Sequence, residues 1–449
     1  MKKSILRGFA VTLFVFGTMW GLDGLTDFKL FTAFDPISQA LEEFELTDIV
    51  FSKLRPDPKP DSRIVIVNIG PSRAAIAQQV QMISQHKPKV IGIDSFFNCE
   101  GGFYDTVNCP QLLDTLANLM LGNAIQEAGN VVLVSRLLQS DSLYKVNPGD
   151  VYDSMEYSDP IFTDYAKTAF ANLPTGDRDG KGAATYQEDV KICKSIIPTV
   201  SVRGERKLAF SVMMAMMYDS AKTKRFLARG NEEEIINFRG NIDIANVKIA
   251  SHREEMQGTS QYNAICFALD WDQLLSGEYD PSMFENSVVI LGYLGDYFGD
   301  PAWEDKFFTP LNSKVAGRAN PDMFGPVIHA NVVAMILNED YINEIPLSFQ
   351  VIIAVLACFL NVLLFYWIDN KIPYLFDGLS VILQIFQILL VSLIIVYAFS
   401  RFNLKLELSL TIAVLALIGP CFDIYKSIEN IWERSFTTKG QTVLTTQNE

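Results

Sequence analysis

The chain has 449 residues, of which 49 % are apolar, yet its formal net charge is −15. This length holds one large domain together with membrane segments. The acidic balance repels phosphates, which argues against a nucleic-acid partner, and with only three histidines (His86, His252, His329) and no G-x-S-x-G, H-E-x-x-H or C-x-x-C motif, no catalytic residue is expected.

The first predicted element is an apolar segment, Ile5 to Leu22, preceded by Lys2, Lys3 and Arg7. Cations on that flank keep the N-terminus in the cytoplasm. Thr18-Met19-Trp20-Gly21 puts bulky residues where a cleavage site wants small ones, so the segment reads as an uncleaved anchor. Three further apolar segments come late: Leu347 to Ile368, Tyr374 to Phe399 and Leu404 to Ile424. A span needs about 20 apolar residues, so four transmembrane helices are expected. The predicted layout is 1–22 as cytoplasmic N-terminus and first span, 23–346 outside the cytoplasm, 347–424 as three spans, and 425–449 as a cytoplasmic tail. Residues 23–346 carry 28 Lys and Arg against 45 Asp and Glu, so the acidity is all in the outer part.

Asp35-Pro36 predicts a helix start running to Leu54, closed by the Pro-rich linker 55–60. Ile64 to Ile69 is a β-branched run and reads as a buried strand. Ala74 to His86 is helical, and Val90 to Ile93, closed by Asp94, is the next strand. A helix from Gln111 to Glu127 leads to a strand from Val131 to Ser135. Residues 140–201 read as a polar loop, and Lys207 to Arg229 as one helix with a methionine face at Met213, Met214, Met216 and Met217, taken as adaptable core. After a helix near Asp270 to Leu275, Val288 to Leu291 is a strand, and Gly325-Pro326 opens an amphipathic helix carrying His329 and Asn331. Strands alternating with helices give an α/β fold with a mainly parallel extracytoplasmic sheet covered by helices, joined to four transmembrane helices.

Several side chains stand where chemistry is plausible. Asp94 closes a buried strand at its carboxyl end, where open α/β sheets bind ligands; with Asp296 and Asp300 it would offer carboxylates to a hard cation, but the spacing matches no known loop, so no metal site is expected. Thr309-Pro310 fixes an extended chain direction. His329 either contacts a ligand or senses pH, or else its ring bonds backbone or carboxylate to fix the preceding loop. The candidate ligand-binding set is Asp94, Asp296, Thr309, His329 and Asn331, with no cofactor. Cys99 and Cys109 bracket a short loop and form a disulfide candidate; Cys193 and Cys266 either pair or are buried singly. Asn361 and Asp377 lie within apolar segments, where polar groups point to interhelical contacts.

With these residues laid out, the chain resembles the CHASE2 family of extracytoplasmic sensory domains of bacterial membrane receptors, over about Leu41 to Ile342. The carriers are RIVIVNIG at Arg63 to Gly70, VIGIDSFF from Val90, INFRGN at Ile236 to Asn241, VVILGYLGD at Val288 to Asp296, FFTPL at Phe307 to Leu311 and GPVIHANVVAMIL at Gly325 to Leu337. Where the family has a D-D-x-S type turn after its first strand, this chain has Gly70-Pro71-Ser72. The resemblance implies a multi-pass protein of the bacterial cytoplasmic membrane with a large periplasmic domain, cytoplasmic termini and dimerisation through its spans. Family members carry a signalling enzyme after the last span; only some 25 residues follow Ile424 here, so signalling is expected through a separate effector or another membrane or envelope protein. The competing expectation is a structural or assembly subunit of an envelope complex, its domain a docking surface.

Overall fold

The computed structural model describes residues 2–26, 50–54, 60–98, 114–140, 142–143, 152–175, 191–242, 265–298, 300, 305–312 and 321–445. The chain divides into two compact units, Phe51–Ile342 and Met1–Val50 with Asn343–Glu449. Most of the helix expected from Asp35 lies outside the described residues, as do Cys99 and Cys109; Val50–Leu54 is a single π-helical turn.

The unit Phe51–Ile342 is built on a seven-stranded sheet. Its strands are β1 (Ile64–Asn68), β2 (Val90–Asp94), β3 (Val131–Leu138), β4 (Ser154–Tyr157), β5 (Lys167–Phe170), β6 (Phe267–Leu269) and β7 (Val288–Gly292), in the order β6-β1-β7-β2-β3-β4, with β5 also on β3. All pairs are parallel except β3 with β4. The mainly parallel α/β fold read from the sequence is therefore present. β7, late in the chain, inserts between β1 and β2, with Val65 opposite Val289 and Ile93 opposite Leu291. Buried on both faces, these strands are continuously apolar and do not alternate.

Successive side chains point to opposite faces. Val65, Val67, Ile91, Ile93, Leu133, Val289 and Leu291 enter a core with α2 (Arg73–Gln85) and α3 (Thr115–Ala128). The other face meets α4 (Phe210–Tyr218) and α7 (Gly325–Asn338). Contact there is close: a Cβ on Gly92 would collide with the Met214 sulfur, and one on Gly292 with Pro326 Cγ. Met214 is thus core, while Met213, Met216 and Met217 are half-buried.

The structure of this unit departs from the sequence reading in two places and decides a third point left open. Residues 140–201 hold the strands β4 and β5 and part of a hairpin, 199–202 with 205–208. The single helix expected from Lys207 is two, α4 and α5 (Ser220–Leu227), because Asp219 leaves the helical backbone and accepts from Ala221 N and Lys222 N as an N-cap. Cys193 and Cys266 are each buried and free.

In the other unit, α8 (Leu347–Lys371), α9 (Phe376–Phe402) and α10 (Ser409–Thr445) follow one another. Three segments, Leu347–Lys371, Pro373–Phe402 and Ser409–Trp432, are long and apolar enough to cross a membrane. The described apolar part of α1 (Lys2–Thr26) runs only Leu6–Gly21, short of that length, so three spanning candidates stand where four were expected. Val11 and Val15 of α1 pack with Cys358, Val362, Val414 and Ile418, and Arg7 pairs with Glu429 at 2.7 Å. Asn361 makes the interhelical contact its position suggested, accepting from Gln387 Nε2 at 2.8 Å; Gln384 donates to Leu415 O at 2.8 Å. The fourth apolar segment begins as a strand: Leu404–Lys405 pairs in parallel with Asn343–Glu344, and Lys405 reaches Glu344 at 3.4 Å and Glu407 at 2.9 Å.

Replacing Gly292 by alanine drives a methyl group into Pro326 and the start of α7. A loss of about 1–3 kcal/mol is expected, read as a lower midpoint of thermal unfolding of the full chain in detergent.

Candidate functional site

The carboxyl ends of β1, β2 and β7 and the residue that follows β6 come together at one edge of the sheet. β1 ends in Asn68, buried to 1 % exposure, whose Nδ2 donates to Asp270 Oδ1 (2.8 Å) and Gly295 O (2.9 Å) while its Oδ1 accepts from Leu294 N (2.9 Å). Asp270 also caps α6 (Trp271–Ser276) and accepts from Phe298 N at 3.3 Å. One amide thus ties the loops that follow β6 and β7 to the end of β1. The polar residue closing the apolar run RIVIVN was the available sequence signal for Asn68.

Asp94 lies on this edge at the end of β2, in register with Gly292. Its Oδ2 stands 3.8 Å from where a Cβ on Gly325 would be, beside the first turn of α7. The carboxyl group has no hydrogen-bond partner among the described residues. Withdrawal from water, reinforced by the Asp305 carboxylate, pushes its pKa up to about 7. A helix N-terminus favours negative charge, so this acid is poised between two protonation states near neutral pH.

The other predicted residues are distributed differently. Asp296 accepts from Tyr293 Oη at 3.2 Å, and its N–H donates to Asp300 Oδ2 at 3.0 Å, which closes a local turn. Among the described residues no three acidic, histidine or cysteine side chains converge as a metal ion requires, so Asp94, Asp296 and Asp300 are not drawn into one cage. Thr309 serves the fold: its N–H and Oγ1 both donate to the buried Asp322 (2.9 and 2.6 Å). Burial raises the Asp322 pKa to about 6 against those bonds. Asp322 precedes β9 (Met323–Phe324), which pairs with β8 (Lys306–Phe307) and sets the start of α7.

Asn331 is fully buried and satisfied. It donates to Gly240 O (3.0 Å) and Val327 O (2.9 Å) and accepts from Arg239 N (2.8 Å), strapping the INFRGN segment to α7. His329, 2 % exposed, packs edge-on to Phe210 with ring centres 5.2 Å apart. Its Nδ1 has no hydrogen-bond partner among the described residues. Burial lowers its pKa to about 4. Of the predicted set, only Asp94 faces the edge without a partner; Thr309 and Asn331 are internal fasteners, and His329 is a neutral core residue.

The sequence reading missed a second cluster, at the opposite end of α7. Leu337 O accepts from Lys222 Nζ (2.6 Å) and from Arg63 Nη1 (3.4 Å), and Arg63 also reaches Asn338 (2.9 Å). Glu339, in the left-handed region at φ 55°, pairs with Arg225 at 2.7 Å. Asp340 pairs with Arg239 at 2.9 Å, and Arg229 donates to Ile342 O at 3.3 Å. Cations at a helix C-terminus complement its dipole; these come from three separate stretches of chain, at 63, 222–229 and 239. They surround the residues that lead, through 343–346, to α8.

Two pH effects of opposite sign follow. The folded chain holds a proton on Asp94 that the unfolded chain releases near the ordinary carboxylate value of 3.8, so this contribution to stability falls as pH rises from about 4 to 7. Asp94→Asn removes the penalty and is expected to stabilise the chain at pH 7 by on the order of 2–4 kcal/mol, with the gain shrinking toward pH 4. His329 takes its proton more readily unfolded, near 6.5, so its contribution is lost as pH falls from 6.5 toward 4. His329→Phe is expected to flatten that acid limb of the unfolding profile.

The CHASE2 domain model matches residues 28–365, about three quarters of the chain. No curated protein and no solved structure matches significantly. The chain belongs to the CHASE2 family, whose domains are extracytoplasmic and sensory.

Proposed function

We propose that this CHASE2 chain is a membrane-anchored receptor-like sensor that reports to a separate effector protein. In this reading residues 23–346 lie outside the cytoplasm of a bacterial cell, and α1 with α8, α9 and α10 anchors them in the cytoplasmic membrane, both termini inside. A ligand acts on the sheet edge at Asp94, and α7 carries its effect.

The observation that supports this best is the grip on the end of α7. Its first turn lies against Asp94, its body is buried from Gly325 to Leu337, and its last turn is held by Lys222, Arg63 and Arg225 just before the connection to α8. A buried helix cannot bend independently of its neighbours, so a change at its first turn is passed to the far end. Close packing alone would not call for a carboxyl group left without a partner at that first turn.

The test is purification of the tagged full chain from its native membrane in mild detergent, followed by mass spectrometry. A kinase, cyclase or response regulator retained with it is the expected result. Stoichiometric structural or transport components of the envelope, with no signalling enzyme among them, would move the domain to the role of a docking surface.

A further inference from the structure

A cavity of about 470 Å³ opens between the hairpin 199–208 and the segment 226–234. No side chain of the Asp94 edge lines it. Its accessible apolar lining comes from the half-buried Ile197, Val200 and Leu227, the last of these in α5. Two charges of opposite sign, Arg206 and Glu232, also line it. Among the described residues neither has an ion-pair or hydrogen-bond partner. The third charged group, Glu234, is already engaged: Arg229 reaches it at 2.7 and 3.3 Å, and Asn231 donates to it at 3.0 Å. Strand 199–202 pairs only with 205–208 among the described residues, which leaves its other edge with unused backbone donors and acceptors.

A lone surface charge needs no explanation, since water solvates it. Two unpaired charges of opposite sign on the walls of one cavity present the complement of a zwitterion. We propose that this cavity binds a free α-amino acid with an apolar side chain. Its carboxylate pairs with Arg206, its ammonium with Glu232, and its side chain lies against Ile197, Val200 and Leu227. The volume falls in the range of small-molecule sites, and a guanidinium suits a carboxylate through paired hydrogen bonds.

The position also suits a sensor. Glu234, in the cavity wall, is bonded to Arg229, whose guanidinium donates to Ile342 O and lies 4.6 Å from the centre of the Tyr341 ring. A ligand on Glu232 therefore sits beside the pair that holds the last residues of the domain. This step from binding to signalling rests on the sensor reading above; the binding itself does not.

The experiment uses the full chain in detergent micelles, with thermal unfolding and calorimetric titration against each of the standard amino acids at up to about 10 mM. At least one of leucine, isoleucine, valine, methionine and phenylalanine is expected to raise the unfolding midpoint and bind. Its analogues lacking the amino or the carboxyl group should bind at least about tenfold more weakly. Arg206→Gln and Glu232→Gln should each cost a similar factor while leaving the unliganded midpoint unchanged, because both side chains are exposed. Binding by no amino acid, or binding that survives both substitutions, overturns the site. Neither residue belongs to the grip on α7, so co-purification of an effector tests the sensor reading separately.

Discussion

The unit Phe51–Ile342 depends on the burial of one helix. Every residue of α7 from Gly325 to Leu337 is withdrawn from solvent, between β1 and β7 on one side and α4 and α5 on the other. Val327, Ile328, Val332, Val333, Met335, Ile336 and Leu337 contribute roughly 1.5–3 kcal/mol each before the entropy of ordering the chain is set against them. A helix of this kind leaves its polar groups nowhere to find water, so each needs a protein partner. Asn331 obtains one from the INFRGN segment and Leu337 O from Lys222 and Arg63. The first turn receives the Asp305 carbonyl and the approach of Asp94. Much of the polar architecture of the domain is an answer to that single requirement.

This explains why sequence blocks far apart in the chain are joined in the fold. INFRGN supplies Asn237 and Arg239, which hold Asp340, and Asn241, which holds Asp322 O at the other end of the helix. FFTPL supplies Thr309, which secures the Asp322 side chain. Each block looks like a loop in isolation. Together they fix both ends of one helix, and a ligand site placed at either end acts on a strongly constrained element.

How much of this was legible depended on the length and burial of each element. The runs at 64–68, 90–94, 131–138 and 288–292 are β-branched and long enough to announce a parallel sheet, and Gly325-Pro326 marks the helix start. β4 and β5 were hidden because four-residue strands with half-exposed, mixed side chains carry no period. The break at Asp219 was hidden because a single capping carboxylate interrupts an otherwise helical pattern. At the site, Asp94 was visible from its place at the end of a buried strand. Thr309, His329 and Asn331 stood out equally in sequence, yet Asp322, Phe210 and Gly240, which they meet, are distant in chain order, and only the fold shows that Thr309 and Asn331 are spent on internal bonds. The grip on α7 was illegible for the same reason, since Lys222, Arg63 and Arg239 are ordinary surface cations until the helix end is placed among them.

The small parallel ladder of Asn343–Glu344 with Leu404–Lys405 has a mechanical meaning. Asn343 N also donates to Asn403 O at 2.9 Å, and Gln350, in the first turn of α8, reaches Glu407 at 3.4 Å. The strand that leads into α8 is thus yoked to the turn joining α9 to α10. Residue 343 is thus tied to two attachments at once, the head of α8 and the turn between the next two helices. Helices coupled in that way shift together, and the 37 residues of α10 carry Pro420 in their interior, a point at which such a shift is taken up by bending.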